Sequence, residues 1–265
     1  MVVCNGHYSV QRLPPLPDIE DFHGDTLHSH NYRDPHPFAD KKIVLWGAAA
    51  SGSDIAREIQ GVAREVHWCG HALQGNRQSD SLLHKASVRT HGDPLGFDPQ
   101  GRLVFKDEPA MDAIDIFMFC TGYDYQFPFL DTNTINVTDN RVHPLYQDLI
   151  SPTYPNLVFI GLPYLVVPFP LFEIQARWFS RLLAGQFKIP DTAGMTDAIE
   201  RHAQSLRAAG IKVRHWHKLA EKQTPYFNLL AAQCSDPPLP DWFGPLTEAA
   251  QRARLANPAH FRDHP

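Results

Sequence analysis

The chain has 265 residues, 43% of them apolar and 20% charged, with a formal net charge of −5 when histidine is neutral. That is room for one large domain or two modest ones with ample core, and the composition is that of an ordinary soluble globular protein. An acidic balance with no basic field gives no argument for a nucleic-acid partner.

Four cysteines, Cys4, Cys69, Cys120 and Cys234, lie far apart with no CxxC pair and no metal spacing. Buried thiols in a reducing, cytoplasmic setting are expected, and no metal site. The fifteen histidines are scattered and read as surface or core residues. Residues 1–8 lack the charged n-region and cleavage pattern of a signal peptide. The apolar, uncharged run 157–172 is broken by Pro163, Pro168 and Pro170, and is too short to span a bilayer.

In chain order, Val2, Val3 and Cys4 read as the last half of a buried strand, and Asn5-Gly6-His7-Tyr8 as the turn leaving it. Residues 11–40, rich in Pro, His and Asp, read as an irregular crossing segment. Ile43 to Trp46 then form an apolar run, followed at once by the small-residue turn Gly47-Ala48-Ala49-Ala50. After it Ile55, Ala56, Ile59, Val62 and Ala63 recur with the period of a helix packed on a sheet. Strand, tight turn, helix is the opening of a dinucleotide-binding βαβ unit, with Ser51, Gly52, Ser53 and Asp54 at a helix N-terminus that would face a pyrophosphate. The fingerprint is imperfect, because Ala49 stands where a second glycine is usual, so a plain strand–turn–helix connection stays open.

The next strand, Glu65 to Trp68, runs into Cys69-Gly70-His71, with Arg64 before it, Arg77 after it and no acid until Asp80. An acid at this strand end binds the ribose of NAD, so its absence favours NADP. Val88–Thr90 and Leu103–Phe105 read as short strands capping the unit. Asp115 to Phe119 is an apolar strand that leaves through Thr121-Gly122, and Leu157 to Ile160 is another, ending at Gly161. Residues 171–185 predict a helix with Phe172, Ala176, Phe179, Leu182 and Leu183 inward. Residues 196–209 predict a second, with Ile199, Ala203 and Leu206 inward and Glu200, Arg201 and Arg207 solvated. After Cys234 the Pro-rich tail is expected to add only surface cover.

Five pieces of this chain, in order, resemble the flavin-containing monooxygenases. Val3-Cys4-Asn5-Gly6-His7-Tyr8 is similar to that family's strand-to-hinge segment. Phe22, Gly24, His28 and Tyr32 form the pattern F-x-G-x-x-x-H-x-x-x-Y, and Gly47 to Ala56 is similar to its NADPH-binding turn. Cys120-Thr121-Gly122-Tyr123 with Phe127-Pro128-Phe129-Leu130 resembles its TGY…FPFL segment. Gly161-Leu162-Pro163, Pro168-Phe169-Pro170 and Glu173-Ile174-Gln175-Ala176-Arg177-Trp178 resemble its C-terminal run.

The resemblance implies an α/β fold in which a Rossmann-like NADPH-binding domain is inserted in an incomplete FAD-binding α/β domain. Its boundaries are expected at 1–34 (strand end, hinge and family motif), 35–122 (NADP-binding), 123–235 (C-terminal part of the FAD domain) and 236–265 (tail). It implies the cofactors NADP(H) and FAD, with O2 and a small amine or sulfide as substrates, oxygenated through a C4a-hydroperoxyflavin. Gly47, Ala48, Ala49, Ala50, Ser51, Gly52, Ser53 and Asp54 would then hold the NADP pyrophosphate and ribose. His71 stands where an arginine often grips the 2′-phosphate, and Arg77 is a substitute. Asn5, Gly6, Gly122 and Tyr123 would lie at the hinges beside the flavin, with Gly161 approaching it, and no side chain is expected as acid, base or nucleophile. The family's opening FAD-binding glycine motifs are not found, so the chain alone is expected to be inactive, and to pair with a missing N-terminal half or with itself. Two alternatives remain: a non-catalytic NADP- or partner-binding remnant, and a Baeyer–Villiger or N-hydroxylating flavoprotein. The lack of a CxxC pair disfavours a disulfide reductase.

Overall fold

A computed structural model describes residues 1–71, 73, 88–131 and 133–256. Its strands are β1 (Val2–Val3), β2 (Val10–Gln11), β3 (Asp25–His28), β4 (Lys42–Trp46), β5 (Glu65–Cys69), β6 (Val88–His91) and β7 (Gly96–Phe97). They continue with β8 (Leu103–Val104), β9 (Ile116–Phe119), β10 (Tyr123–Asp124), β11 (Asn136–Thr138), β12 (Arg141–His143) and β13 (Val158–Phe159). The helices are α1 (Ala50–Ile59), α2 (Pro168–Leu183), α3 (Thr192–Ala208), α4 (Gln223–Gln233) and α5 (Phe243–Ala256). The chain divides into two units, one of Met1–Val10 with Asp124–Pro245 and the other of Gln11–Tyr123 with Leu246–Pro265.

The second unit is built on a parallel sheet of order β3-β9-β4-β5-β6. Ile43, Val44 and Leu45 are fully buried because both faces of β4 are covered. Ile43 and Leu45 pack with Ile55, Ala56 and Ile59 of α1, while Val44 faces the opposite layer with Phe97, Leu103, Phe117 and Phe119. The chain runs from β4 through α1 to β5 on one side, and β9 lies on the other side of β4. The order reverses between β4 and β9, and the carboxyl ends of strands at such a reversal are where open α/β sheets bind ligands.

In the first unit β1 runs parallel to β13, Val2 opposite Val158 and Val3 opposite Phe159. Phe159 turns into one core with Val3, Phe127 and Leu157, and Val158 into another with Trp178, Phe179 and Leu230 from α2 and α4. α3 is N-capped by Asp191, whose carboxylate accepts the Gly194 N–H at 2.8 Å, and it buries Met195, Ala203 and Leu206. Among the described residues no helix is long and apolar enough to cross a membrane.

Several sequence expectations change. The segment 11–40 is not all irregular, since Asp25–His28 forms the outer strand of the parallel sheet and puts this stretch with the nucleotide unit rather than with residues 1–10. Val88–His91 is a member of the sheet rather than a cap, whereas Leu103–Val104 pairs antiparallel with β7 outside it. The inward stripe of α2 is Leu171, Gln175, Trp178 and Phe179, whereas Phe172 and Leu183 are exposed. Apolar residues surround that helix, so periodicity alone does not fix its phase. Cys4 is exposed, unlike the three other cysteines. The tail holds a helix, α5, with Phe243 buried against Phe227.

Candidate functional site

The turn after β4 is tight because two glycines permit it. A Cβ on Gly47 would fall 2.2 Å from the Cys120 carbonyl oxygen, and one on Gly52 would fall 2.0 Å from the Gly47 oxygen. Trp68 on β5 fixes the same turn, donating from Nε1 to the Gly47 oxygen at 2.9 Å. α1 therefore starts hard against the sheet, with Ala49 as an N-cap that offers no capping side chain. The first-turn N–H groups of a helix have no intrahelical acceptor, so here they face outward with the positive end of the helix dipole.

Ala49 and Ala50 are exposed, Ala48 and Ser51 half-buried, Gly52 and Ser53 buried. Ser53 Oγ gives its proton to the Ala50 oxygen at 3.0 Å. Asp54 accepts from Arg57 at 3.1 Å and from Arg254 of α5 at 2.9 Å. His71, just past β5, is largely exposed and lies 3.4 Å from Asp93 Oδ2. Asp93 also accepts the Trp46 indole N–H at 3.0 Å. Arg77 and Asp80 lie outside the described residues.

The residues of the F-x-G-x-x-x-H-x-x-x-Y pattern all tie β3 and its flanks to the nucleotide unit. Phe22 stacks on Phe97 with centroids 4.9 Å apart. Gly24 passes so close to β9 that a Cβ would meet the Asp115 oxygen at 2.6 Å. His28 is buried, donates from Nε2 to the Gly122 oxygen at 3.0 Å and packs edge-on against Tyr123. Its burial lowers its pKa, the Gly122 hydrogen bond opposing that shift. Tyr32 donates to Glu58 of α1 at 2.8 Å, and burial followed by that bond pushes its phenol well up.

In the other unit Asn5 and Gly6 are exposed at the end of β1. The following His7 packs against Tyr125, and its Nε2 is buried without a hydrogen-bond partner among the described residues. Gly161 follows β13. The space a side chain would need there is filled by the Phe172 ring, 2.7 Å from a would-be Cβ, and its N–H donates to Gln175 Oε1 at 2.8 Å. Gln175, fully buried, passes the network on to the Tyr226 hydroxyl at 2.9 Å and so to the Gln147 carbonyl. A cavity of about 440 Å³ in this unit is lined by Arg141, Tyr146, Asp148, Trp216, His217 and Tyr226, none of them in the motifs.

The flavin-binding monooxygenase-like family model matches residues 1–74 and 98–238. The chain belongs to this family. Flavin-containing monooxygenase FMO GS-OX-like 3 of Arabidopsis thaliana is 40% identical over 268 residues, covering 99% of this chain and 58% of that relative. Among solved structures, S-allyl-L-cysteine S-oxygenase from Allium sativum is 35% identical with a TM-score of 0.90, over 99% of this chain and 60% of that one. Tmm from Pelagibacter sp. strain HTCC7211, at 22% identity and a TM-score of 0.80 over 98% of this chain and 58% of that one, shares the fold. The chain thus spans about 58% of the length of the curated relatives it matches.

For a flavin-binding monooxygenase-like chain, two residues near these sites carry no motif signal. Asp93 sits in the turn after β6. Once β6 is placed in the parallel sheet, that turn lies at the carboxyl ends of the strands, which is the signal that would have found it. Arg254 had no signal, because Pro237, Pro238, Pro240 and Pro245 make its surroundings read as a loop.

Proposed function

We propose that this chain carries the NADP-binding unit and part of the FAD-binding unit of a flavin monooxygenase acting on a soft sulfur or nitrogen centre. The observation that carries the reading is the start of α1: uncapped, pressed onto the sheet through Gly47 and Gly52, and set at the switch point between β4 and β9. A diphosphate there would meet the outward N–H groups of Ala50, Ser51 and Gly52. Ser51 supplies the hydroxyl, since the proton of Ser53 is already given to Ala50. His71 is the residue nearest the place of a 2′-phosphate, but Asp93 shares that corner and weakens its hold on a second anion.

The flavin reading is supported by His7, next to Asn5 and Gly6 at the end of β1, whose ring faces the Gly161 backbone while its buried Nε2 has no partner within hydrogen-bonding geometry among the described residues. Flavin, when bound, supplies the redox and oxygen-activating chemistry. The chain's own groups bind and orient, and none of Asn5, Gly6, His7, Gly122 or Tyr123 is placed as a nucleophile. Gly161 belongs to the packing of α2 more than to a ligand, given the Phe172 ring against it. A sulfide is favoured over an amine because a relative 35% identical is an S-oxygenase.

The deciding experiment has two arms. Calorimetric titration with NADP+ and with NAD+ tests the nucleotide unit. Incubation with excess FAD, desalting and a visible spectrum tests the flavin reading. NADP+ binding with retained flavin supports the whole reading and justifies turnover assays on sulfides. NADP+ binding by a colourless protein leaves the nucleotide unit as the chain's own function, and absence of both overturns the proposal.

A further inference from the structure

We propose that Arg254, on the last helix, is a working part of the nucleotide site, a positioning residue that sets the first two turns of α1 for an anionic diphosphate. The inference rests on the reading of this turn as the NADP site.

The guanidinium of Arg254 reaches from α5 to Ser53 Oγ at 3.2 Å and to Asp54 Oδ1 at 2.9 Å. Ser53 has its own proton on the Ala50 carbonyl, so toward Arg254 it is an acceptor. Arg57, one turn along α1, takes the same Asp54 oxygen at 3.1 Å. Two guanidinium groups therefore share one carboxylate. The next acid on the helix, Glu58, accepts from the Tyr32 hydroxyl. Glu58 keeps its charge, so these two guanidinium groups and two carboxylates balance beside the first turns of α1, and the positive end of the helix dipole is left for a diphosphate lying across that terminus.

The geometry also explains why this arginine is held by a second helix. Its side chain is 29% exposed, and a single nitrogen, Nη2, gives one proton to the Ser53 hydroxyl and the other to the Asp54 carboxylate. A lysine keeps the charge and could reach the same two oxygens only from a more mobile stem without the planar group that fixes their direction. Arg254 acts through Ser53 and Asp54 on the backbone between Gly47 and Gly52, where the phosphates would sit.

The test compares the full chain with Arg254→Met and Arg254→Lys, titrated with NADP+ and with adenosine 2′-monophosphate, which has no diphosphate. Arg254→Met is expected to raise the Kd for NADP+ about tenfold while leaving that for adenosine 2′-monophosphate within about twofold, and Arg254→Lys to fall between. Equal losses on both ligands would mean a purely structural role and overturn the proposal, as would an unchanged NADP+ affinity. Thermal melts of both variants identify unfolding, and the lysine variant keeps the test alive if the methionine one melts early. A wild-type chain that binds no NADP+ removes the nucleotide reading itself. A wild-type chain that binds it as well as Arg254→Met does removes only the role of Arg254.

Discussion

His28 Nε2 donates to the carbonyl oxygen of Gly122 across 3.0 Å, while its Nδ1 accepts the backbone N–H of His30 at the same distance. Both ring nitrogens are used and the tautomer is fixed. The pattern residue of β3 is thereby joined to the turn that follows β9, 94 residues on. His28→Ala leaves a buried carbonyl and a backbone N–H without their partner, and is expected to cost about 1–3 kcal/mol. Denaturant unfolding followed by tryptophan fluorescence measures it, and an unchanged midpoint refutes the structural role.

Gly52→Ala places a methyl where the Gly47 carbonyl already lies. The backbone cannot give way without moving the turn, so a loss of about 1–3 kcal/mol is expected together with loss of NADP+ binding. Ser51→Ala, which removes no packing of that kind, should weaken NADP+ several-fold with the melting temperature unchanged. Equal behaviour of the two variants would contradict the geometry.

Gln175 serves Gly161 and Tyr226 at once. Gln175→Leu should destabilise by about 1–3 kcal/mol, because the Gly161 N–H stays buried and unpaired. Adding Tyr226→Phe should cost less in that background than in the wild type, since the bond is already gone. Strict additivity in the double-mutant cycle would show that the two do not communicate.

Burial holds His67 well down, to about 4, against the hydrogen bond that Glu65 offers. Between the ordinary value of 6.5 and that value, the unfolded imidazole takes a proton that the folded one refuses. Stability therefore falls as pH falls through this window, by on the order of 2 kcal/mol between pH 7 and 5 from this group. Urea unfolding at both pH values checks it, and His67→Gln should flatten the dependence. A wild-type chain equally stable at both would exclude a neutral, buried His67.

Asp93 stands beside His71 at the carboxyl end of the sheet. Asp93→Asn is expected to strengthen NADP+ about two- to fivefold, with NAD+ unchanged and the gain smaller at high salt. A parallel gain on NAD+ would place Asp93 away from the 2′-phosphate.

Much of the parallel sheet was legible because strands buried on both faces read as unbroken apolar runs. Ile43 to Trp46 and Ile116 to Phe119 are of that kind, and the small-residue turn between β4 and α1 marks its own helix start. Asp25–His28 was not legible. Its sequence, Asp-Thr-Leu-His, has one apolar residue, and only hydrogen bonding to β9 makes it a strand. The phase of α2 was missed for the opposite reason, an excess of apolar residues around the helix. The α1 turn of the candidate site followed from local sequence, whereas Asp93 and Arg254 reach it through tertiary placement that no local pattern encodes.

The contact between Arg254 and Asp54 spans 200 positions of sequence. During synthesis the strands from β3 to β9, with α1 among them, emerge long before α5. At about 5–20 residues per second, the nucleotide unit waits on the order of ten seconds for Arg254. The nascent sheet must therefore be self-sufficient, and the clasp arrives as a late addition to a scaffold already standing.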